Sequence, residues 1–540
     1  MAFTNSNKSL ALTATVGGIA VILLALKLQQ QGNAPEGNDN TNTSLRKVTK
    51  PQLTKSKVDQ TNKDLRKKVK KVAVKTINVK TNLPQHALPN ERVAHFKNQE
   101  DYNAFIAGLA KRGLKLLGKS DRLNAVRFGF DSQSNLDDIT DAELAFNYLV
   151  SPPSPTAGQI QDGALGFGSS ALEWLGLTSD NSAWGDGVTV AVIDSGVNSH
   201  IALTGENGDV SFINLTELNG SEQLGHGTAV ASIISGDHPL TRGVAPASDI
   251  LSIRVTNDQG LSDSLTLAEG IIQAVDAGAQ IINMSLGSAV DSRIVSEAVS
   301  YALENNAVLV ASAGNDGNSN LSFPAGNNGV ISVGAIEAQG EHAGFSNTGD
   351  SLNIAAPGFE VNAAWGEDLL IPFSGTSASA PYVSGAIAAT LSEIPNITPT
   401  EAANIVLSVT NDAGQPGNDN QFGGGILALD RIMEYNTAGV YDAAVAGQVV
   451  SSPNSNNILV TVQNQGTEPL INSQVNISGP NGDELHNVTS LLPGQIHTIT
   501  LSNANIDTQE PVSVTTTIET QEQDLDPGNN SSTSEFSEDL

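Results

Sequence analysis

The chain has 540 residues, enough for about three domains, and 39% of them are hydrophobic, as in globular proteins. It contains no cysteine, which excludes disulfides, thiolate metal sites and a cysteine nucleophile. The net charge of −30 is unevenly distributed: residues 1–150 carry 23 Lys and Arg against 13 Asp and Glu, and the only later basic residues are Arg242, Arg254, Arg293 and Arg431. Because so acidic a surface repels phosphates, we predict no nucleic-acid partner.

An uncharged, mostly apolar run, SLALTATVGGIAVILLAL, occupies residues 9–26 between Lys8 and Lys27. At about 1.5 Å per residue it is just long enough to cross a hydrocarbon core, and it lacks an obvious A-x-A cleavage site. We predict a signal anchor or a cleaved signal peptide in residues 1–27, and hence a membrane-attached precursor that is exported to an extracellular or periplasmic location. Residues 28–89, with LRKKVKKVAVK at 65–75, predict a basic, disordered tether.

Residues 90–150 show a regular alternation of element patterns. RVAHF, LKLLG and NAVRFGF predict strands, and QEDYNAFIAGLAKR predicts an amphipathic helix. DDITDAELAF predicts a second helix and NYLV a last strand. This β-α-β-β-α-β order predicts a ferredoxin-like α+β unit, after which SPPSPTAG opens a linker over residues 151–170.

The next segment, residues 171–437, alternates strand patterns such as GVTVAVID and AVLVASA with helix patterns such as LTLAEGIIQAVDAG and RIVSEAVSYALENN. Such alternation predicts an α/β fold, a parallel sheet with helices on both faces. Residues 441–540 change to short alternating strands with turn residues between them, such as ILVTVQNQG and VSVTTTIET, and predict a β-sandwich.

Four polar residues fall at strand ends or helix starts of the predicted parallel sheet. Asp194 closes the strand of VTVAVIDSGV, His226 lies in LGHGTAVASIISG, Asn315 ends ASAGN and Ser377 lies in SGTSASAPYVSG. Each alone has an ordinary structural interpretation, a cap or a packed histidine. Because open α/β sheets bind ligands at the carboxyl ends of their strands, we expect the four to meet at one site.

The motifs D-S-G, G-H-G-T, A-G-N and G-T-S-x-S-x-P, in this order, resemble those of the subtilisin-like serine peptidases, the subtilases. The resemblance runs from about residue 172 to 435 and includes RGVAPASDILSIRV, IINMSLGS and FGGGILAL. It implies a subtilisin-like fold and an acyl-enzyme mechanism in which Ser377 is the nucleophile, His226 the base and Asp194 the group that orients the imidazole. Asn315 and the Ser377 backbone N–H would hold the oxyanion.

The same resemblance implies where a protein or peptide substrate would bind. An extended substrate would lie as an added strand between two backbone walls and place one side chain in a specificity pocket. The residues that the resemblance assigns are Ser285, Leu286 and Gly287 for one wall, Gly260, Leu261 and Ser262 for the other, and Ala311, Ser312, Ala313 and Gly314 for the pocket, with Ser322 near its floor.

The flanking segments also resemble parts of this family's proteins. A ferredoxin-like unit directly before a subtilase core resembles the inhibitory, chaperone-like propeptide, so we expect a zymogen whose own propeptide fills the cleft through NYLVSPPSP and is cut within the linker. Attraction between a basic front and an acidic body would assist docking and weaken in salt. LLPGQ and DPGNN in the tail resemble CARDB-type immunoglobulin-like modules, with an unrelated sandwich as the alternative.

We expect no cofactor for the chemistry. SGDHPLTRGVAP is shorter than in subtilases whose loop here binds a structural calcium ion, so calcium at that loop is doubtful, and calcium elsewhere is left open. A catalytically silent binding or adhesion protein is the alternative function. Among active enzymes, the sequence does not separate a degradative peptidase from a processing peptidase with one partner.

Overall fold

The structure, a computed structural model, describes residues 83–537 except 138, 154–162, 205–207, 217–224, 453–454, 503, 505 and 507–510. The predicted signal or anchor segment and the tether up to residue 82 therefore lie outside the described residues. Within the described part of the chain, no helix is both long and apolar enough to cross a bilayer.

The region before the linker contains a four-stranded antiparallel sheet with strand order β2-β3-β1-β4. Its elements are β1 (Glu91–His95), α1 (Gln99–Gly108) with a 3₁₀ turn at Leu109–Arg112, β2 (Leu114–Ser120), β3 (Ala125–Phe130) and β4 (Glu143–Ala145). Asn98 caps α1 by accepting a hydrogen bond from the Asp101 N–H. Aromatic residues, among them Phe96, Phe105 and Phe128, fill the core between α1 and the sheet.

The predicted second helix at 137–146 is wrong. A 3₁₀ helix at Gln133–Leu136 precedes this segment, and within it Glu143–Ala145 form β4, which pairs with β1. The segment is rich in Asp and Thr, which favour turns over helices because their side chains compete for backbone groups. As a strand, it covers the free edge of β1. The last strand of this region, β5 (Leu149–Val150), leaves the sheet and pairs elsewhere.

The second region is built on a seven-stranded sheet in which all neighbours are parallel, with order β13-β12-β11-β10-β6-β8-β7. The strands are β6 (Thr189–Asp194), β7 (Val210–Asn214), β8 (Asp249–Arg254), β10 (Ile281–Met284), β11 (Val308–Ser312), β12 (Val330–Ile336) and β13 (Ile354–Pro357). Two short pairs stand apart: β9 (Ser262–Asp263) pairs with β5, and β14 (Val361–Trp365) with β15 (Leu369–Phe373).

Helices cover both faces of this sheet, which confirms the predicted architecture. Its helices are α2 (Ala171–Trp174), α3 (His226–Ser235), α4 (Ser264–Asp276), α5 (Arg293–Glu304), α6 (Thr376–Glu393), α7 (Pro399–Ser408) and α8 (Leu429–Glu434). Helices α3 and α6 belong to one apolar core, and α4 and α5 to the other. Helix α6 is buried on all sides from Thr376 to Thr390, so it passes through the interior.

The C-terminal region is a β-sandwich of two antiparallel sheets with orders β16-β17-β20 and β19-β18-β21-β22. Its strands are β16 (Ala443–Val450), β17 (Ile458–Asn464), β18 (Leu470–Gly479), β19 (Gly482–Leu491), β20 (Ile496–Leu501), β21 (Val512–Glu519) and β22 (Ser531–Phe536). Both sheets contribute to one apolar core, for example through Val460 and Val475.

A buried arginine joins the sandwich to the preceding region. Arg431 of α8 is 6% exposed and donates hydrogen bonds to the Thr410 carbonyl, to Asn411 Oδ1 at 3.3 Å and, across the boundary, to the Gln465 carbonyl at 3.1 Å. Gln463 of β17 returns a hydrogen bond of 3.1 Å to the Thr410 carbonyl. These contacts fix the sandwich on the parallel-sheet region.

Candidate active site

Asp194 and His226 are brought together at the carboxyl end of β6. Asp194 ends the strand and is fully buried, and His226 is the first residue of α3, with its side chain 12% exposed. His226 Nδ1 lies 2.9 Å from both carboxylate oxygens of Asp194. A carboxylate accepts hydrogen bonds, so Nδ1 is the donor of this pair, and in the neutral ring Nε2 keeps its lone pair.

Glycines on both sides of His226 permit this approach. A Cβ on Gly227 would lie 2.4 Å from the Gly196 carbonyl oxygen, and one on Gly225 would lie 2.4 Å from the Trp365 ring. The Phe373 ring stands edge-on to the imidazole, with ring centroids 5.2 Å apart. The imidazole is thus held by Asp194 and by aromatic packing.

Ser377, the second residue of α6, is 1% exposed. Its hydroxyl donates to the carbonyl oxygen of Ser285 at 3.1 Å, and the Ser285 hydroxyl donates to the Ser377 carbonyl at the same distance. His226 Nε2 is buried and forms no hydrogen bond with the described residues. The expected serine–histidine hydrogen bond is therefore not formed, and the hydroxyl points to the chain after β10 instead.

Asn315 follows β11 and is 2% exposed. Its Oδ1 accepts two hydrogen bonds of 2.8 Å, from the backbone N–H and the hydroxyl of Thr376. The Thr376 oxygen in turn accepts from the Gly314 N–H at 3.1 Å. With Oδ1 occupied in this way, Nδ2 faces the cleft, where it donates to the Pro153 carbonyl oxygen at 3.0 Å. Sequence reasoning missed Thr376, although a hydroxyl next to Ser377 was a signal for it.

Residues 149–153, here called the cleft segment, run between the two walls. Leu149 and Val150 pair with Asp263 and Ser262 of β9. On the other side, the Ser151 N–H donates to the Gly287 carbonyl at 3.1 Å, and the Gly287 N–H donates to the Ser151 carbonyl at 3.0 Å. This segment therefore lies as an added antiparallel strand that ends at the Asn315 amide.

The predicted wall of Ser285, Leu286 and Gly287 agrees better with the observed contacts than the predicted wall of Gly260, Leu261 and Ser262. Gly287 pairs with the cleft segment, Ser285 binds the Ser377 hydroxyl, and Leu286 between them is fully buried. In the second wall, Ser262 pairs with the cleft segment. The neighbouring residue Asp263 also pairs with it and was not predicted.

Gly260 and Leu261 form no β-pair with the cleft segment. The Gly260 N–H donates to the Asn257 carbonyl at 2.9 Å, and the Leu261 N–H donates to Asn257 Oδ1 at 3.1 Å. The Leu261 side chain is 40% exposed. The two residues thus belong to a turn closed by Asn257, one step before the paired part of this wall.

The predicted pocket residues form a continuous buried stretch at the end of β11. Ala311, Ser312 and Ala313 are at most 2% exposed. Gly314 has a φ of +110°, and a Cβ there would lie 2.4 Å from the Ser322 hydroxyl oxygen. The Ser322 N–H donates to the Ala313 carbonyl at 2.8 Å. Ser322 therefore lies beside this backbone.

Among the described residues, no group of three or more His, Cys, Asp or Glu is placed to hold a metal ion. The loop for which calcium was doubted, residues 235–246, closes on itself. The Gly243 N–H donates to the Gly236 carbonyl at 2.7 Å, and the Thr241 N–H donates to the His238 carbonyl at 2.9 Å. The carbonyls of Gly236 and His238 thus accept hydrogen bonds within the loop, and a structural calcium ion elsewhere stays an open prediction.

The Subtilase family profile matches residues 185–425. A thermostable alkaline protease of Halalkalibacterium halodurans is 34% identical over 250 residues, which cover 46% of this chain and 68% of the relative. Minor extracellular protease Epr of Bacillus subtilis is 32% identical over 357 residues, 62% of this chain and 55% of the relative. The crystal structure of an epidermin leader peptide processing serine protease from Staphylococcus aureus matches with a TM-score of 0.53 and 20% identity, over 64% of this chain and 99% of that one, and so shares the fold.

The parallel sheet, its helices and the relatives together define a subtilisin-like serine-type endopeptidase. The chain belongs to the subtilase family.

Proposed function

We propose that this chain is the latent precursor of an exported endopeptidase and that residues 85–153 inhibit the catalytic region from within the same chain. The observation that carries the proposal is the 3.0 Å hydrogen bond from Asn315 Nδ2 to the Pro153 carbonyl, with residues 149–151 paired to both walls of the cleft. The cleft segment thereby occupies the place of a substrate.

The proposed catalytic groups are Ser377, His226, Asp194 and Asn315. His226 Nε2 takes the Ser377 hydroxyl proton as the oxygen attacks the scissile carbonyl carbon, while Asp194 stabilises the imidazolium. Asn315 Nδ2 and the Ser377 N–H donate to the oxyanion. The C–N bond breaks, and the amine leaves with the proton from His226. Water then releases the acyl group with the help of the same base. No cofactor enters this scheme.

The register of the cleft segment supports one maturation bond. The Pro153 carbonyl accepts a hydrogen bond from Asn315, the proposed oxyanion donor, which supports cutting between Pro153 and Ser154. This bond lies inside the linker predicted to contain the maturation site.

Specific contacts support the proposed inhibitory docking. Arg127 of β3 donates to Asp263 at 2.5 Å and, through Nε, to Glu91 at 2.8 Å. Arg122 donates to both carboxylate oxygens of Asp276 at 3.0 and 3.1 Å. Val93 and Ala125, together with Val150, share an apolar core with α4 and α5.

The contrast between a basic front, residues 1–150, and an acidic remainder gives less support to docking than it first suggests. Residues 83–150 contain eight Lys and Arg and nine Asp and Glu, so the basic excess lies in residues 1–82. We therefore assign any salt sensitivity of inhibition to the individual ion pairs between the two regions, among them those of Arg122 and Arg127.

Export is proposed from the apolar run at 9–26, and the similarity to the minor extracellular protease Epr of Bacillus subtilis supports it. The proposed substrates are proteins or peptides bound as an extended strand. A broad profile on denatured proteins would indicate degradation, and cleavage of a single partner would indicate processing. A structural calcium ion is tested separately, by comparing the melting temperature with and without a chelator.

The test uses the full chain and its Ser377→Ala variant, both treated with a fluorophosphonate probe and followed by intact mass over time. We expect only the native chain to be labelled and to lose the segment ending at Pro153. If the folded native chain is neither labelled nor active on any peptide, the proposal is wrong, and the silent binding protein becomes the better explanation.

A further inference from the structure

The residue that the cleft segment places next to Ser377 is a proline, Pro153. It lies at a position where a strand residue would normally donate its backbone N–H to the neighbouring wall. Ser151 and Gly287 exchange two backbone hydrogen bonds. In an antiparallel pair, such hydrogen-bonded pairs recur every second residue, so a continued ladder would next pair residue 153 with residue 285. The residue at 153 would thus donate its N–H to the Ser285 carbonyl.

Proline has no amide hydrogen, so Pro153 cannot make this bond. The Ser285 carbonyl instead accepts the hydroxyl of Ser377 at 3.1 Å. In the same structure, His226 Nε2 is buried and has no hydrogen-bond partner among the described residues. A buried carbonyl oxygen is more stable when it accepts a hydrogen bond, and the Ser377 hydroxyl donates one to the Ser285 carbonyl.

We infer that Pro153 is an inhibitory latch. Because it has no N–H to donate to the Ser285 carbonyl, that carbonyl binds the Ser377 hydroxyl and holds it away from His226. A residue with an N–H at the same place would occupy the carbonyl and free the hydroxyl to turn to the base. The Ser285 carbonyl thus links the backbone of the bound residue to the alignment of the nucleophile, and cutting after Pro153 is slow.

This inference rests on the proposed function, because it concerns the rate at which the same site cuts its own chain. The prolines also give the latch a matched control. Pro152 lies next to Pro153, but backbone groups alternate along an extended strand, so an N–H at 152 would face away from Ser285.

The experiment follows cutting after residue 153 in full-length chains made by cell-free synthesis, with intact-mass and N-terminal analysis of samples taken over time. The chains are native, Pro153→Ala, Pro152→Ala and Ser377→Ala. Because one net hydrogen bond corresponds to roughly a tenfold change in rate, we expect Pro153→Ala to be cut about tenfold faster than native. Pro152→Ala should be cut at the native rate, and Ser377→Ala not at all.

A second measurement does not depend on the folding of a variant. The processed native enzyme is given two peptides that end in Ser-Pro-Ala or Ser-Pro-N-methylalanine before the scissile bond, so that one amide hydrogen is replaced by a methyl group. The latch predicts a kcat that is about tenfold lower for the methylated peptide, with a similar KM.

The outcomes separate the latch from the proposed function. Equal cutting rates for native and Pro153→Ala, or equal kcat for the two peptides, overturn the latch but leave an active peptidase. Acceleration by both proline substitutions also overturns it, because the effect would then come from chain stiffness. Absence of any Ser377-dependent cutting, in the chain or in peptides, overturns the proposed function itself.

Discussion

Thr376 donates two hydrogen bonds of 2.8 Å to one atom, Oδ1 of Asn315. An amide can be placed either way round, but two donors on one side allow only its oxygen there. The side-chain NH₂ group is therefore held toward the cleft before any substrate arrives. Such a preorganised donor stabilises a developing oxyanion without reorganisation during the reaction.

The first prediction concerns Thr376. Thr376→Val removes the hydroxyl donor to Asn315 and also the acceptor for the Gly314 N–H, whereas Thr376→Ser keeps both. We expect kcat to fall by about tenfold in the valine variant, the effect of roughly one hydrogen bond, with little change in KM. The serine variant should keep most of the activity. Steady-state kinetics on a peptide substrate checks this, and a change confined to KM would speak against a positioning role.

The second prediction concerns Arg127, which joins Glu91 to Asp263 across the docked surface. Arg127→Met keeps much of the side-chain stem but removes the charge. We expect the cut segment that ends at Pro153 to dissociate about tenfold faster, a typical effect of losing a partly buried ion pair. The delay between cutting and appearance of activity measures this release. Raising the salt concentration should shorten the delay in the native protein and have less effect in the variant.

Lys115→Met serves as the control for Arg127, since Lys115 is an exposed residue of β2. It removes a charge of the same sign from the same sheet. If both variants shortened the delay equally, the net charge of the segment would matter and the Arg127 contact would not.

The third prediction is a pH dependence of stability from His342, whose ring packs against Phe422. Burial lowers the pKa of His342 to about 4 from an ordinary value of 6.5. The unfolded chain therefore binds the proton more readily, and this contribution to stability is complete above pH 6.5 and is lost as the pH falls toward 4. The loss is at most about 3 kcal/mol.

Urea unfolding of Ser377→Ala and of the double variant with His342→Phe, at pH 7 and pH 4.5, tests this contribution. We expect the double variant to lose less stability between the two pH values. Burial raises the pKa of both Asp412 and Asp442 to about 6, which gives a trend of opposite sign in both proteins. The difference between the proteins isolates the histidine, and identical slopes would contradict the assignment.

The fourth prediction concerns Arg431, whose buried guanidinium fixes the sandwich to the parallel-sheet region. Burial lowers its pKa to about 10. Arg431→Met leaves the Thr410 and Gln465 carbonyls without this donor, so we expect the free energy of unfolding to fall by roughly 2–4 kcal/mol. In a Ser377→Ala background, which prevents self-digestion, limited proteolysis between α8 and β16 should become faster.

Arg242→Met provides the comparison for Arg431. Arg242 is exposed and forms an ion pair with the exposed Asp180 at 2.8 Å. Its loss should change stability by less than about 1 kcal/mol, as for other surface ion pairs. Equal proteolysis of the two variants would show that Arg431 does not fix the sandwich.

Much of the parallel-sheet region could be predicted because its strands are continuous apolar runs and its helices have a clear period. The strands ending at Asp194 and Ser312 followed from this pattern. The pattern failed at 137–146, where the apolar spacing suits a helix but the free edge of β1 takes the segment as a strand. The sequence pattern of this segment does not show that the backbone groups at the edge of β1 are free to pair with it.

The sequence by itself determined the parallel sheet through its apolar strand and helix patterns, and short motifs placed Asp194, His226, Asn315 and Ser377 at strand ends and helix starts. Only the tertiary structure decided what these groups touch. The Ser377 hydroxyl meets a carbonyl 92 residues away, and the Asn315 amide meets one 162 residues away. Such contacts depend on the register of distant segments, which is set by packing and backbone pairing across the whole fold and leaves no local signal in the chain.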